Sequence, residues 1–244
     1  MRVESDWPAK GGGWNHRLNE SRDSVYRELA SAPTRFPSSY WTDLHAEYVN
    51  DLKHIPDIRG VSPESLRAMG IGWSADRTAH SFPMRNEKRE IIGIRLRKPA
   101  GAKFCVPGSQ TGIFLADLTY TATEYLLIME GPTDTAAALD LGHEAIGRPS
   151  CMGGTEIIKK FLAHYPYKPV IIIADNDSPK RRPDGSLWYP GIEGAKGLQR
   201  ALSSRRAHAR VIMVPGHKDL REWRIHGCMR GDIDELIALH GGYR

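Results

Sequence analysis

Tyr125-Leu-Leu-Ile-Met-Glu-Gly-Pro-Thr-Asp134 and Val170-Ile-Ile-Ile-Ala-Asp-Asn-Asp177 decide how this chain folds. Each opens with an unbroken apolar run of strand length and closes on acid. A strand with one face in water alternates apolar and polar residues. An unbroken run is buried on both faces, as in a parallel sheet covered by helices on each side. The chain supplies those helices. Gly131-Pro132 leads into one that runs through Leu141, a brief strand follows at Ala145-Ile146, and Thr155 to Tyr165 reads as another helix. Beyond the second acidic stretch come a helix from Ile192 to Ser203 and a strand from Arg210 to Val214. Strand–helix alternation of this kind is the signature of an α/β domain with a mostly parallel sheet.

Upstream the period changes. Tyr40 to Leu52 spaces Trp41, Leu44, Tyr48 and Leu52 as one face of a helix. Ser62 to Gly70 is bounded as a short helix, with Ser62 as N-cap, Pro63 at the first position and Gly70 as the stop. Ser81–Met84, Ile91–Lys98 and Lys103–Val106 then read as short strands, with Arg95, Arg97, Lys98 and Lys103 along them. Residues 1–39 are rich in Gly, Ser, Pro and charge, with a short helical stretch at Ser24–Ala30, and read as a partly flexible lead segment. The expected organisation is that segment, a small α+β subdomain over 40–120, the parallel-sheet domain over 121–223, and a helical tail over 224–244.

The 244 residues suffice for a core without staples, and 40% hydrophobic with 26% charged residues is ordinary for a globular protein. No apolar run reaches membrane-spanning length, and the start lacks the apolar stretch of a secretory signal. A cytoplasmic protein without a membrane partner is the expectation. Cys105, Cys151 and Cys228 are widely separated and odd in number, which argues against a disulfide framework and against a zinc site with closely paired ligands. The net charge of +5 is a mild bias toward polyanions and decides nothing until the cations are found beside a phosphate-handling site.

The acids carry the chemistry. Ligands of open α/β sheets bind beyond the carboxyl ends of the strands. Glu130 and Asp134 follow one strand, Asp175 and Asp177 another, and Asp219 lies just past the exit of the last. Clustered carboxylates repel, and a hard cation such as Mg2+ relieves that repulsion while leaving room for water and substrate phosphate. Each piece also has a plainer role. Asp-x-Asp is common in turns, Asp134 suits the first turn of a helix, and Asp219 suits an N-cap.

Glu130-Gly-x-x-Asp134 after one apolar strand and Asp175-x-Asp177 after the next strong one resemble the TOPRIM signature, with Gly153-Gly154 as a further match. That domain is shared by bacterial primases, type IA and type II topoisomerases, and certain nucleases and recombination proteins. Val61-Ser-Pro-Glu-Ser-Leu-x-x-Met-Gly-Ile-Gly72, Ser81-Phe-Pro83, Ile92-Gly-Ile-Arg95 and Lys103-Phe104 look like the N-terminal subdomain of the RNA-polymerase domain of phage and plasmid primase–helicases. Lys218-Asp219-Leu-Arg-Glu-Trp223 is similar to the segment after their last strand. The resemblance spans Ile55 to Trp223 and extends to the bacterial DnaG-type primases.

It implies Mg2+- or Mn2+-dependent synthesis of short RNA primers on single-stranded DNA from nucleoside triphosphates, in replication of a phage, plasmid or other mobile element. A replicative helicase is a further candidate partner. Glu130 would be a metal ligand or proton-transfer group, Asp175 and Asp177 would hold the metal, and Asp134 and Asp219 would support them. Arg95, Arg97, Lys103 and Lys218 would face nucleotide or template phosphates, although cations on an edge strand are also commonplace.

The chain departs from the family between Ser178 and Pro190, where an inserted loop carries Lys180-Arg181-Arg182, Trp188 and Tyr189. Those residue types suit single-stranded nucleic acid; an ordinary surface excursion is the alternative. There is no Cys-rich zinc module and no P-loop of a helicase motor. The rival functions are a metal-dependent nuclease using the same acids and a non-catalytic nucleic-acid-binding replication accessory.

Overall fold

The computed structural model describes residues 36–50, 58–117, 123–203 and 209–240. The expected Ser24–Ala30 helix and lead segment as far as residue 35, and the end of the first core helix at Leu52, lie outside the described residues. Contacts join the chain from Phe36 onward into one unit.

The first part is a four-stranded antiparallel sheet with a helix on each side. Strands β1 (Gly72–Ser74), β2 (Ala79–Arg85), β3 (Ile91–Arg97) and β4 (Lys103–Cys105) lie in that order. Helix α1 (Ser38–Asn50) covers one face, where Trp41, Leu44 and Tyr48 pack on Ala79, Ile91, Ile94 and Leu96. Gly72 permits this closeness, since a Cβ there would come within 2.4 Å of the Tyr48 carbonyl oxygen. Helix α2 (Pro63–Ala68) packs with Phe82 and Met84 on the other face. Its boundaries follow from local chemistry: the Ser62 side chain accepts from the Ser65 amide, and Gly70 turns the chain with φ +64°. Strand β1, three residues long, has no readable period and exists because β2 pairs with it.

The second part is a five-stranded sheet in the order β11-β8-β6-β7-β5. Strands β6 (Leu126–Met129), β7 (Ala145–Gly147), β8 (Val170–Ala174) and β11 (Arg210–Met213) run parallel. The two-residue β5 (Phe114–Leu115) closes one edge antiparallel to β7, drawn from the segment read as part of the first subdomain. Alternation sorts the apolar runs onto two cores. Leu126, Ile128, Val170 and Ile172 meet α4 (Thr155–His164) and α5 (Pro190–Leu202) through Phe161, Leu162 and Leu198. Leu127, Met129, Ile171 and Ile173 meet α3 (Pro132–Asp140), α6 (Leu220–Ile225) and α7 (Arg230–Leu239) through Ala138, Leu220 and Ile233. Each fully buried Leu or Ile contributes about 1.5–3 kcal/mol of transfer free energy. That is why both faces of these strands had to be apolar. Residues 178–190, read as a loop, form a hairpin of β9 (Lys180–Arg181) and β10 (Leu187–Trp188). Among the described residues no helix is long and apolar enough to cross a membrane.

Candidate active site

Four parallel strands leave the same edge of the sheet side by side, and the residues just beyond them form a row. In sheet order they are Lys218 and Asp219 after β11, Asp175 and Asp177 after β8, Glu130 and Asp134 after β6, and Arg148 after β7. The two middle exits carry only acids, one end carries Arg148, and the other carries Lys218 beside Asp219. Because β6 and β8 pair directly, Glu130, Asp175 and Asp177 come close enough to offer one oxygen each within 4.8 Å of one another. Asp134 and Asp219 lie outside this triad.

Local geometry holds each acid. Gly191, at the start of α5, presses on the Asp175 backbone, and a Cβ there would come within 2.2 Å of its carbonyl oxygen. The Asn176 amide donates to the Lys218 carbonyl at 2.6 Å, tying the two strand exits together, and Lys218 Nζ lies 3.7 Å from Asp177 Oδ1. Asp134 is buried in the first turn of α3 and accepts from the Arg221 amide at 3.2 Å. Asp219 caps α6, its Oδ1 accepting from the Glu222 amide at 2.7 Å. The plainer role read for Asp219 is thus the one its hydrogen bond makes.

The electrostatics follow from burial and crowding. Burial, then Asp134 and Glu130, pushes the Asp175 carboxyl up to about 8. Glu130 is raised by burial and then by Asp177, against the pull of Arg148, Lys103 and Lys218. Asp134 is raised too, by burial and then Asp219. A set of carboxylates that would rather be neutral is a set that gains from a cation. All the donors are hard oxygens, which suits Mg2+ or Mn2+ and not a thiophilic metal.

The antiparallel sheet forms the opposing wall of a cleft of about 200 Å³. Along β3, Ile94 and Leu96 face α1, so Arg95 and Arg97 face the other way, into the cleft with Lys103, which is the register partner of Arg97. β3 lies inside its sheet, so Arg95 and Arg97 are not edge-strand cations, whereas Lys103 stands on β4 at the edge. Arg95 spans the cleft: its guanidinium lies 5.8 Å from the Phe114 ring centroid and donates to the Pro149 carbonyl. Lys180 and Arg181, by contrast, stand on the β9–β10 hairpin and do not line the cleft.

No protein-family model matches the sequence, and no curated protein matches it. Solved structures do match the fold. The zinc-binding and RNA polymerase domains of Aquifex aeolicus primase superpose with a TM-score of 0.62 at 15% identity, covering 83% of this chain and 59% of that one. A DnaG primase catalytic domain bound to single-stranded DNA gives 0.59 at 13% identity over 82% and 80% of the two chains. The primase fragment of the bacteriophage T7 primase–helicase gives 0.50 at 18% identity over 73% and 71%. The fold is that of a primase catalytic core.

Within this primase-core fold the structure adds residues that sequence reasoning missed. Arg148 is 3% exposed, donates to the Cys151 carbonyl, and feels the charge of Glu130. Burial, against the pull of Glu130, lowers its pKa. Cys151 lines the cleft with Ser150, and burial followed by Glu130 raises its thiol. A signal for Arg148 existed: it lies just past a strand exit, as the acids do, but that strand is three residues long.

Proposed function

We propose that the chain is a primase-type nucleotidyltransferase, joining nucleoside triphosphates into short RNA on single-stranded DNA. The observation that carries this reading is the opposition of two charged surfaces across one cleft. Glu130 and Asp175 lie on its floor, joined by Asp177 in one carboxylate triad, and Arg95, Arg97 and Lys103 lie on its wall. A module that merely bound DNA would gain nothing from the floor, because carboxylates repel phosphates. A DnaG catalytic domain of the same fold was solved on single-stranded DNA, and the T7 relative is a primase–helicase; both support the substrate and make a helicase the natural partner class.

Glu130, Asp175 and Asp177 would hold Mg2+ or Mn2+ in the manner of TOPRIM carboxylates, with Asp134 and Asp219 behind them. When bound, the cation supplies charge neutralisation at phosphate oxygens and eases ionisation of an attacking hydroxyl. The chain's own groups do the remaining work. The wall cations take triphosphate and template phosphates, turning an α-phosphate toward the floor. Arg95, held by Phe114 and Pro149, keeps its charge in one position before substrate arrives, so less ordering is left to the transition state. Lys218 and Arg148 at the ends of the acidic row limit its net repulsion of the incoming polyanion.

The test is a synthesis assay with single-stranded DNA, Mg2+ or Mn2+ and labelled nucleoside triphosphates. Wild type should make short RNA, and the Asp175→Ala, Asp177→Ala double variant should lose roughly a thousandfold or more. Synthesis surviving in the double variant would overturn the assignment. Cleavage of the template in place of synthesis would assign the same acids to a nuclease.

A further inference from the structure

The β9–β10 hairpin stands on the rim of the acidic site. The chain leaves the site at Asp177 and returns at Gly191, which already rests on the Asp175 carbonyl, so the intervening residues are free to serve another purpose. They are built as a defined element. Asp184 accepts from the Ser186 amide at 2.9 Å and from its hydroxyl at 2.7 Å. Gly185 turns with φ +84°, and Arg182 pairs at 2.8 Å with Glu193 in the first turn of α5.

Strand alternation gives the hairpin two unlike faces. Trp188 shares one with Lys180 and Arg182, each cation 5.9 Å from the ring centroid, so the indole is engaged by its own chain. The other carries Arg181 and Leu187 and, one residue past the strand, Tyr189; the latter two are 49% and 45% exposed. Met152, 60% exposed, stands between α5, the helix that the hairpin leads into, and the cleft. Gly194 of α5 packs on the Cys151 carbonyl beside the Met152 sulfur, and Cys151 lines the cleft. Aromatic and aliphatic side chains left in water among cations match a single strand, whose bases stack and whose phosphates need neutralising.

We infer that the Lys180–Tyr189 hairpin binds single-stranded nucleic acid on its Arg181 face, taking a phosphate on Arg181 and a base on Tyr189, and leads the strand past Met152 to the cleft. The inference rests on the proposed function only for the strand's role as template.

The experiment is fluorescence anisotropy of a labelled oligothymidylate on the full chain without metal, over a range of salt. Arg181→Ala should weaken binding about threefold and reduce the salt slope by about 0.7, the share of one phosphate contact. Tyr189→Ala should weaken it about five- to tenfold with the slope unchanged, and Tyr189→Phe should restore it. Wild-type affinity in the alanine variants, at unchanged melting temperature, overturns the inference and leaves the synthesis assay to judge the proposed function. Unchanged DNA affinity with altered self-association in sedimentation would assign the hairpin to a protein contact, also overturning it. Hairpin-dependent binding without primer synthesis would keep the inference and sink the proposed function.

Discussion

Asp175 shows what the site's geometry does to one side chain. Its carboxyl stands at about 8 against an ordinary 3.8, because it is buried and then because Asp134 and Glu130 crowd it. A folded value above the unfolded one means that this group's stabilisation is complete below about pH 4 and is lost as pH rises through about 8. The metal-free protein should therefore lose stability from this group across that window, and Asp175→Asn should remove that part of the slope in denaturation curves taken at several pH values. An unchanged slope in the variant would contradict the placement of Asp175. A cation must also displace that proton, so Mg2+ affinity should climb toward pH 8, with proton release visible in calorimetry in two buffers of different ionisation enthalpy. The acid residue types were legible in the sequence, being tied to strand exits. The division among them came only from the resemblance, which set Asp134 and Asp219 apart as supporting residues; the fold adds that Asp134 is bonded to the Arg221 amide and that Asp219 is used as a cap.

At the scale of elements, the site depends on how the antiparallel sheet is fastened to the parallel one. Asp140, at the end of α3 and almost wholly buried, accepts from the Ser62 amide at 2.7 Å and from the Ser62 hydroxyl, and pairs with Arg224 of α6 at 3.1 Å. Arg224 in turn donates to the Gly60 carbonyl at 2.9 Å. Three elements thus meet on one carboxylate. Asp140→Ala strands the Arg224 charge and two Ser62 donors, and should cost about 3–5 kcal/mol in chemical denaturation, with primer synthesis falling as the basic wall loosens. A loss below about 1 kcal/mol would show the junction to be dispensable. Elements with local signals were readable in advance: α2 from its Ser62 cap and Gly70 stop, β6 and β8 from their apolar runs. β1, β5 and the hairpin strands were not, because two or three residues carry no period and pairing alone makes them strands.

For the whole molecule, the carboxylate cluster is a cost of folding that a cation bound there would offset. Mg2+ at about a hundred times its dissociation constant should stabilise the fold by about 2.7 kcal/mol, raising the melting temperature by roughly 5–10 °C for a chain of this size. The Asp175→Ala, Asp177→Ala variant should show no such rise, and an equal rise in both would mean that the ion binds elsewhere. Residue order alone carries the α/β class, the apolar strands and the acids at their ends. Periodicity and capping are written within a few residues, so they can be read there. The packed fold sets the order β11-β8-β6-β7, and with it which strand exits are neighbours, that Arg148 and Cys151 join the site, that β3 is interior, and that Arg95 and Arg97 face the cleft. Adjacency in a parallel sheet is set by crossovers and by the packing of helices on both faces, and no short stretch of residues encodes it.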